Sequence, residues 1–179
     1  RKEFEYLDYY LEVNKNISLF KRDLKESIKI LNYFIKLMEK YPELKECNDI
    51  VNIKYSIAKY KYSDKDYYGT IKDISDLVKK NPKHLKMLDF YILLGDAKYE
   101  INDYYGSIYE YRKAIEIDSE YDLAYSGRAL AKAALGDISG YCKDMNTAYR
   151  IEKVSCAKSS IGCTTAYTKE LLDIYGCSY

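Results

Sequence analysis

Residues 103–118 read DYYGSIYEYRKAIEID, and the opening of this stretch occurs more than once in the chain. The tetrapeptide DYYG at 103–106 returns at 66–69, and a looser copy, DISG, lies at 137–140. The three aspartates are 37 and 34 residues apart, and a more degenerate copy begins at Asp23. A period of this length indicates a repeat architecture in which each unit is one supersecondary element.

A helical pattern follows each of these aspartates. After Asp103, apolar and small residues stand three or four apart, at Ser107, Ile108, Tyr111 and Ala114. This spacing places them on one stripe of an α-helix. The aspartate suits the N-cap, because its carboxylate can accept hydrogen bonds from the free backbone N–H groups of the first turn. We therefore expect a helix to begin after each aspartate.

A second helical segment precedes each aspartate. Residues 88–99 show it most clearly, and residues 122–135 are rich in alanine and are followed by Gly136, which suits a helix C-cap. Residues 51–62 and 4–20 are weaker counterparts. The unit is thus a helix, a short turn and a second helix. A single pair of this size cannot bury its apolar faces alone, whereas stacked pairs can.

The length of 179 residues favours a single domain. The sequence predicts an all-α solenoid of antiparallel helix pairs, closed by a C-terminal loop and a capping helix in residues 154–179. The predicted helix pairs span about residues 4–40, 45–80, 83–117 and 121–153.

The charge balance narrows the classes of partner. The chain has 29 Lys and Arg against 28 Asp and Glu, a net charge of +1, which removes the usual electrostatic reason to bind nucleic acid or anionic membrane. Its apolar runs are too short for a membrane span. We therefore expect no nucleic-acid partner and no membrane span.

The repeat resembles the tetratricopeptide repeat (TPR) family, whose pattern sets a large aromatic, Leu-Gly and several small residues at fixed positions. The copies here keep that pattern at Tyr91, Leu94, Gly95, Ser107, Tyr111 and Ala114, at Tyr125 and Ala148, and at Ala58, Thr70 and Pro82. About three repeats are recognisable over residues 51–151, and residues 4–40 form a degenerate one. The resemblance implies a right-handed α-solenoid.

Small residues have a physical role in this pattern. Gly95, Ala58 and Ala129 fall where the first helix of a pair meets the second, and Ala114 and Ala148 fall between consecutive repeats. A larger side chain would push the helices beyond their usual separation of about 8–10 Å.

The resemblance also implies a binding surface, because TPR proteins bind peptides on the concave face that the first helix of each pair lines. The matching positions here are Asn52, Tyr55, Lys59, Tyr62, Asp89, Ile92, Asp96, Tyr99, Leu123, Ser126 and Leu130. Asp89 and Asp96 favour a basic or mixed protein or peptide partner.

One TPR subfamily clamps the C-terminal carboxylate of chaperone tails with a set of lysines, asparagines and an arginine. None of the matching positions here carries the required residue type in its place. Those positions are Tyr55, Lys59, Leu93, Leu123 and Gly127. We expect no carboxylate clamp of this kind.

The chain shows no catalytic constellation. Its single histidine, His84, follows Pro82 in a Lys-rich turn and has no catalytic or metal-binding partner in the nearby sequence. Phosphate loops, nucleophile elbows and HExxH motifs are absent. We therefore expect a non-catalytic protein-interaction scaffold that carries no cofactor and no metal.

Two other functions stay open. The first is a small-ligand or carbohydrate-binding module that uses a Tyr-rich groove, since 23 of the residues are Tyr and the inner face includes Tyr55, Tyr62 and Tyr99. The second is a structural segment of a larger protein, which the missing initiator Met and the degenerate first repeat suggest.

The five cysteines are Cys47, Cys142, Cys156, Cys163 and Cys177. No CxxC pair occurs, so the spacing does not indicate a structural zinc site. They are either small buried packing residues or partners in disulfides, which imply an oxidising compartment. Residues 140–144 and the closing Cys177 resemble bacterial TPR proteins that end in a Cys-bearing helix pair. That resemblance implies a Cys142–Cys177 pair, with Cys156–Cys163 as a second candidate. If the C-terminal cysteines are paired, a periplasmic or exported protein is favoured over a cytoplasmic one.

Overall fold

The computed structural model describes residues 24–40, 50–158 and 176–177. In this part of the chain the elements are all helices, with no strand, which confirms the predicted all-α class. The described helices are α1 Leu24–Lys40, α2 Ile50–Ser63, α3 Tyr67–Lys80, α4 Met87–Glu100, α5 Tyr104–Ile117, α6 Asp122–Ala134 and α7 Ile138–Lys158.

The chain divides into two compact units, Arg1–Asp66 and Tyr67–Tyr179. In the second unit, each helix from α3 to α7 packs against the next one along the chain, and α4 also contacts α6. This is the contact pattern that a solenoid of helix pairs requires. In the first unit, α1 packs against α2 through a core of Ile35, Met38, Ile53 and Ile57. The division of all 179 residues into four helix pairs of one domain stays a prediction.

The turns that precede α3, α5 and α7 share one backbone conformation. The residue before the capping aspartate has a left-handed φ in each turn, 64° at Lys65, 63° at Asn102 and 79° at Gly136. In each turn the aspartate N–H also donates to the carbonyl oxygen of the lysine five residues earlier, at 2.9 Å. Glycine favours this conformation, which commonly closes a helix. The repeat is therefore present in the backbone as well as in the sequence.

The aspartates of the last two motifs act as N-caps. The N–H of Gly106 donates to Asp103 Oδ1 at 3.0 Å, and the N–H of Gly140 donates to Asp137 Oδ1 at 2.8 Å. A Cβ on either glycine would overlap the capping carboxylate, so the glycine of the motif leaves room for the cap. Helix α3 likewise begins directly after the aspartate of the first motif. The degenerate N-terminal copy lies outside the described residues.

The small residues are buried, as their role in helix packing predicts. An added Cβ on Gly95 would come within 2.9 Å of the Tyr111 ring, which crosses from the second helix of the same pair. No more than 1% of the surface is exposed at Ala58, Ala114, Ala129 and Ala148.

Helix α7 extends further than the sequence indicated. It runs from Ile138 to Lys158, so residues 154–158, which were expected in a loop, are helical. Alanine and lysine are good helix formers, and the first glycine after this segment is Gly162. The rest of the expected loop and most of the expected capping helix lie outside the described residues.

Candidate functional site

The predicted partner-binding residues occupy one face on each of three helices. Successive members lie 3, 7 and 10 residues after the first, which keeps them within an arc of roughly 80° on a helix that turns 100° per residue. Helices α4 and α6 contact each other, so their two sets lie on neighbouring helices of the second unit. The sets are Asn52, Tyr55, Lys59 and Tyr62 on α2, Asp89, Ile92, Asp96 and Tyr99 on α4, and Leu123, Ser126 and Leu130 on α6.

Asp96 is the most constrained of these residues. Its carboxylate is partly buried and accepts a hydrogen bond from the Tyr111 hydroxyl at 2.5 Å. Burial raises the pKa of Asp96, the hydrogen bond from Tyr111 acts in the opposite direction, and the charge of Glu100 raises it further. Asp96 is thus a carboxylate held in one position by a neighbouring helix.

Tyr111 fills the space between three helices. Its side chain, 3% exposed, reaches from α5 to α4 and α6. A Cβ on Gly95 or on Gly127 would collide with its ring, so both glycines are needed for the ring to fit. Sequence reasoning identified the role of Gly95 but missed that of Gly127, which was considered only as a clamp position. The role of Gly127 could have been inferred from its spacing, because it lies 32 residues after Gly95, close to one repeat length.

Tyr121 is the residue directly before α6 and was not among the predicted site residues. Burial raises the pKa of its hydroxyl most, followed by the negative charges of Asp89, Asp122, Asp96 and Asp118. Of these four carboxylates, Asp89 and Asp96 lie on α4 and Asp122 begins α6. We refer to Asp89, Asp96, Tyr121 and Asp122 as the acidic face.

Five other predicted residues make contacts within the protein. The Ser126 hydroxyl donates to the Asp122 carbonyl oxygen at 3.1 Å, and Leu130 packs against the core around Tyr141. The Tyr99 ring meets the Tyr104 ring edge-on, with 5.4 Å between ring centres. On α2, the Lys59 ammonium lies 4.9 Å from the centre of the Tyr55 ring. A binding role for each of these side chains stays a prediction.

A lysine–carboxylate ion pair joins the two helices of each of the last two pairs. Lys98 contacts Glu110 at 2.5 Å, and Lys132 contacts Asp144 at 2.7 Å. In both repeats the lysine lies five residues before the capping aspartate and the acid seven residues after it. Sequence reasoning missed these pairs, although that equal spacing would have revealed them.

A disulfide joins Cys142 on α7 to Cys177, with an S–S distance of 2.07 Å and a Cα–Cα distance of 5.4 Å. Cys177 is 7% exposed and belongs to the core cluster around Tyr141. The Cys156–Cys163 pair stays a prediction, because Cys163 and the side chain of Cys156 lie outside the described residues.

His84 has a structural environment in the described part of the chain. Its ring stacks on Phe90 with 5.6 Å between ring centres, and its Nδ1 accepts a hydrogen bond from the Lys86 N–H at 3.2 Å. Among the described residues, no three His, Cys, Asp or Glu side chains come together as a metal site. No helix of that part combines the length and the apolar character needed to cross a membrane.

Paired helices, recurrent capped turns and small residues at the contacts define a helical repeat protein of the solenoid class. The repeat is of the TPR type: a family model described as a TPR repeat matches residues 95–136. This match confirms the resemblance that the sequence showed. A comparison with curated proteins finds no match.

Solved structures support the same fold. PcrH from Pseudomonas aeruginosa superimposes with a TM-score of 0.63 at 15% identity, covering 72% of this chain and 93% of PcrH. PcrH in complex with the chaperone binding region of PopD superimposes with a TM-score of 0.61 at 15% identity, covering 69% of this chain and 88% of that PcrH chain. The TPR2B domain of yeast Sti1, in a complex with pHsp70, superimposes with a TM-score of 0.61 at 17% identity, covering 70% of this chain and 95% of the Sti1 chain. At these identities the likeness shows the fold.

Proposed function

We propose that the chain is a non-catalytic scaffold that binds a protein or peptide partner of basic or mixed charge on the acidic face. The observation that carries this proposal is the position of Asp89 and Asp96, seven residues apart on one face of α4, and of Asp122 at the start of α6, the helix that α4 contacts. Neither Asp89 nor Asp96 has a cationic partner among the described residues, so their charges are available to a ligand. A lysine or arginine side chain of a partner would supply the missing positive charge.

The acidic face is also held in place before a partner arrives. Tyr111 fixes the Asp96 carboxylate, and the close contact of Tyr111 with Gly95 and Gly127 leaves little room for rearrangement. A surface that is already ordered loses less conformational entropy on binding. Exposed Leu123, next to the acidic face in the chain, adds an apolar contact for the same partner.

The similar structures support a binding role of this kind. PcrH is known in complexes with the chaperone binding regions of PopD and of PopB, and the Sti1 domain in a complex with pHsp70. We therefore extend a protein-binding role to this chain, with a partner chemistry set by its own carboxylates. The Tyr-rich groove alternative has weaker support, because the Tyr99 ring is engaged by Tyr104.

The proposal is tested by selecting peptides from a random display library against the purified chain. We expect the enriched peptides to contain lysine or arginine. The dissociation constant of one such peptide is then measured by fluorescence anisotropy for the wild type and for Asp89→Asn and Asp96→Asn. Each substitution should weaken binding by about tenfold or more, as for a hot-spot residue.

Asp76→Asn is the matched control, because Asp76 is an exposed carboxylate on α3 that lies outside the acidic face. It should leave the affinity within about twofold. Enriched peptides without basic residues, or wild-type affinity in both the Asp89→Asn and the Asp96→Asn variant, would refute the proposal.

A further inference from the structure

A basic cleft opens between α5, α6 and α7. Its volume is about 210 Å³, and four of its six lining residues are cationic. The lining consists of Ile108, Arg112, Arg128, Lys132, Lys143 and Asp144. No residue of the acidic face lines it, so the cleft is a separate surface of the second unit.

The floor of the cleft is an ion-pair cluster around Asp144. Arg128 donates to this carboxylate from Nε at 2.8 Å and from Nη2 at 2.7 Å, and Lys132 approaches it at 2.7 Å. The Asp144 side chain is 3% exposed, whereas the two cations are 18% and 20% exposed. Two positive charges therefore share one negative charge, and the cluster keeps a surplus of one.

Arg112 and Lys143 increase this surplus. Arg112 lies on α5 and Lys143 on α7, and both side chains are exposed. Neither has an ion-pair partner among the described residues. With the cluster around Asp144, the cleft carries a net charge of +3 in a chain whose overall charge is only +1.

We propose that this cleft binds a phosphoryl group. A dianion matches the surplus charge better than a single carboxylate does, and arginine and lysine are the usual ligands of phosphate oxygens. The volume is below the roughly 300–1,000 Å³ of pockets that enclose drug-sized ligands, which fits one tetrahedral oxyanion. Asp144 holds Arg128 and Lys132 in place, so the floor is ordered before the ligand enters.

The test measures binding of two probes by isothermal titration calorimetry. One probe is inorganic phosphate, and the other is a short peptide with one phosphoserine. We expect each to bind with one-to-one stoichiometry and to bind more weakly as the salt concentration rises. The double variant Arg112→Gln/Lys143→Gln should lose at least about tenfold in affinity, because it removes the two lining cations that have no ion-pair partner among the described residues.

Lys79→Gln/Lys80→Gln is the matched control, since it removes two exposed positive charges from α3, whose residues do not line the cleft. Its affinity should stay within about twofold of the wild type. Equal losses in both double variants, or binding of neither probe by the wild type, would overturn the proposal. All four substitutions are at exposed positions, and circular dichroism checks that the helices are retained.

Two further binding measurements define the ligand. A peptide with glutamate in place of phosphoserine should bind much more weakly, and equal affinity would overturn the assignment of a phosphoryl group. Affinity for the phosphopeptide should fall as the pH is lowered through about 6, where the dianion gains a proton. A phosphopeptide that binds more tightly than inorganic phosphate identifies a group carried by a partner, whereas equal affinities identify the free anion. Either result supports the phosphoryl site.

Discussion

The helix pairs α4–α5 and α6–α7 share one backbone plan but fill their junctions with different side chains. In α4–α5 the junction is polar: the Ser107 hydroxyl donates to the Gly95 carbonyl oxygen at 2.9 Å, and Tyr111 donates to Asp96. In α6–α7 the equivalent positions belong to an apolar cluster closed by a disulfide, and the polar contacts are the ion pairs of Arg128 and Lys132 with Asp144. The positions filled by Gly95, Ser107 and Tyr111 in the first pair are filled, 34 residues later, by Ala129, Tyr141 and Met145.

This difference separates two roles within one architecture. The polar junction holds the Asp96 carboxylate in one position, and hydrogen bonds replace part of the apolar contact there. The apolar junction buries Tyr141 and Met145 completely and contributes hydrophobic free energy. Substitutions in α6–α7 should therefore mainly lower stability, whereas substitutions at the α4–α5 junction should change binding more than stability.

The largest expected effect comes from Tyr141→Ala. Removing a fully buried aromatic side chain should lower the free energy of unfolding by about 3–5 kcal/mol. Ser107→Ala, at the equivalent position of the other pair, loses one hydrogen bond and should cost about 1 kcal/mol. Urea unfolding followed by circular dichroism measures both values. Similar losses at the two positions would contradict the division between the two junctions.

The disulfide should give the next largest effect. Cys142 and Cys177 are 35 residues apart, and a closed loop of this length is expected to contribute about 3–4 kcal/mol in the chain-entropy account. Reduction with dithiothreitol should lower the unfolding midpoint of the wild type by the corresponding amount. A Cys142→Ser/Cys177→Ser variant is the control and should show the lower midpoint with or without the reductant. A wild-type midpoint that does not respond to reduction would show that the bond adds no stability.

Much of this architecture could be predicted from the sequence because it depends on local spacing. The cap by Asp103 involves an N–H three residues later, and the close contact at Gly95 follows from the period of the repeat. The same periodicity would have revealed the Lys98–Glu110 pair, had the charged positions of the repeats been compared as the apolar ones were. Tyr121 was missed because it lies just before α6, outside the helix face that the TPR register assigns.

The basic cleft could not have been predicted in this way. Arg112 and Lys143 are 31 residues apart on helices of different pairs, and they line one cleft because α5 and α7 both pack against α6. No local pattern in the sequence shows which exposed charges of two such helices will lie together. The balanced net charge of +1 also concealed the cleft, because a total charge carries no information on where charges gather.

The interhelical ion pairs of Asp144 and of Glu110 provide a smaller test of the comparison. Asp144→Asn should cost about 2–3 kcal/mol, because it leaves both Arg128 and Lys132 without their anion. Glu110→Gln should cost about 1–2 kcal/mol, because only Lys98 loses a partner. Both figures are below those for a fully buried pair, since the cations are about one-fifth exposed. Urea unfolding of the two variants gives the ranking, and a larger loss for Glu110→Gln would reverse the expected order.

The smallest expected effect concerns Asp96 and depends on pH. Burial is the largest influence on this carboxyl and raises its pKa; the hydrogen bond from Tyr111 lowers it, and the charge of Glu100 raises it. The pKa of Asp96 is higher in the folded chain than in the unfolded chain. The stabilising contribution of this carboxyl to the free energy of unfolding is therefore fully present at pH values below the unfolded pKa. It is lost as the pH rises through the folded pKa. At pH 7 the ionised group should therefore slightly oppose folding.

Asp96→Asn should accordingly be at least as stable as the wild type at pH 7, because the amide oxygen can still accept the hydrogen bond from Tyr111. The difference between the two proteins should narrow as the pH is lowered to 4. Tyr111→Phe removes the one influence that lowers the pKa of Asp96, so it should strengthen the pH dependence, and the double variant should abolish it. If Asp96→Asn raises the free energy of unfolding at neutral pH and lowers the affinity for the basic peptide, Asp96 serves binding and lowers the stability of the fold. Loss of stability at pH 7 without loss of binding would instead assign Asp96 to the α4–α5 junction alone.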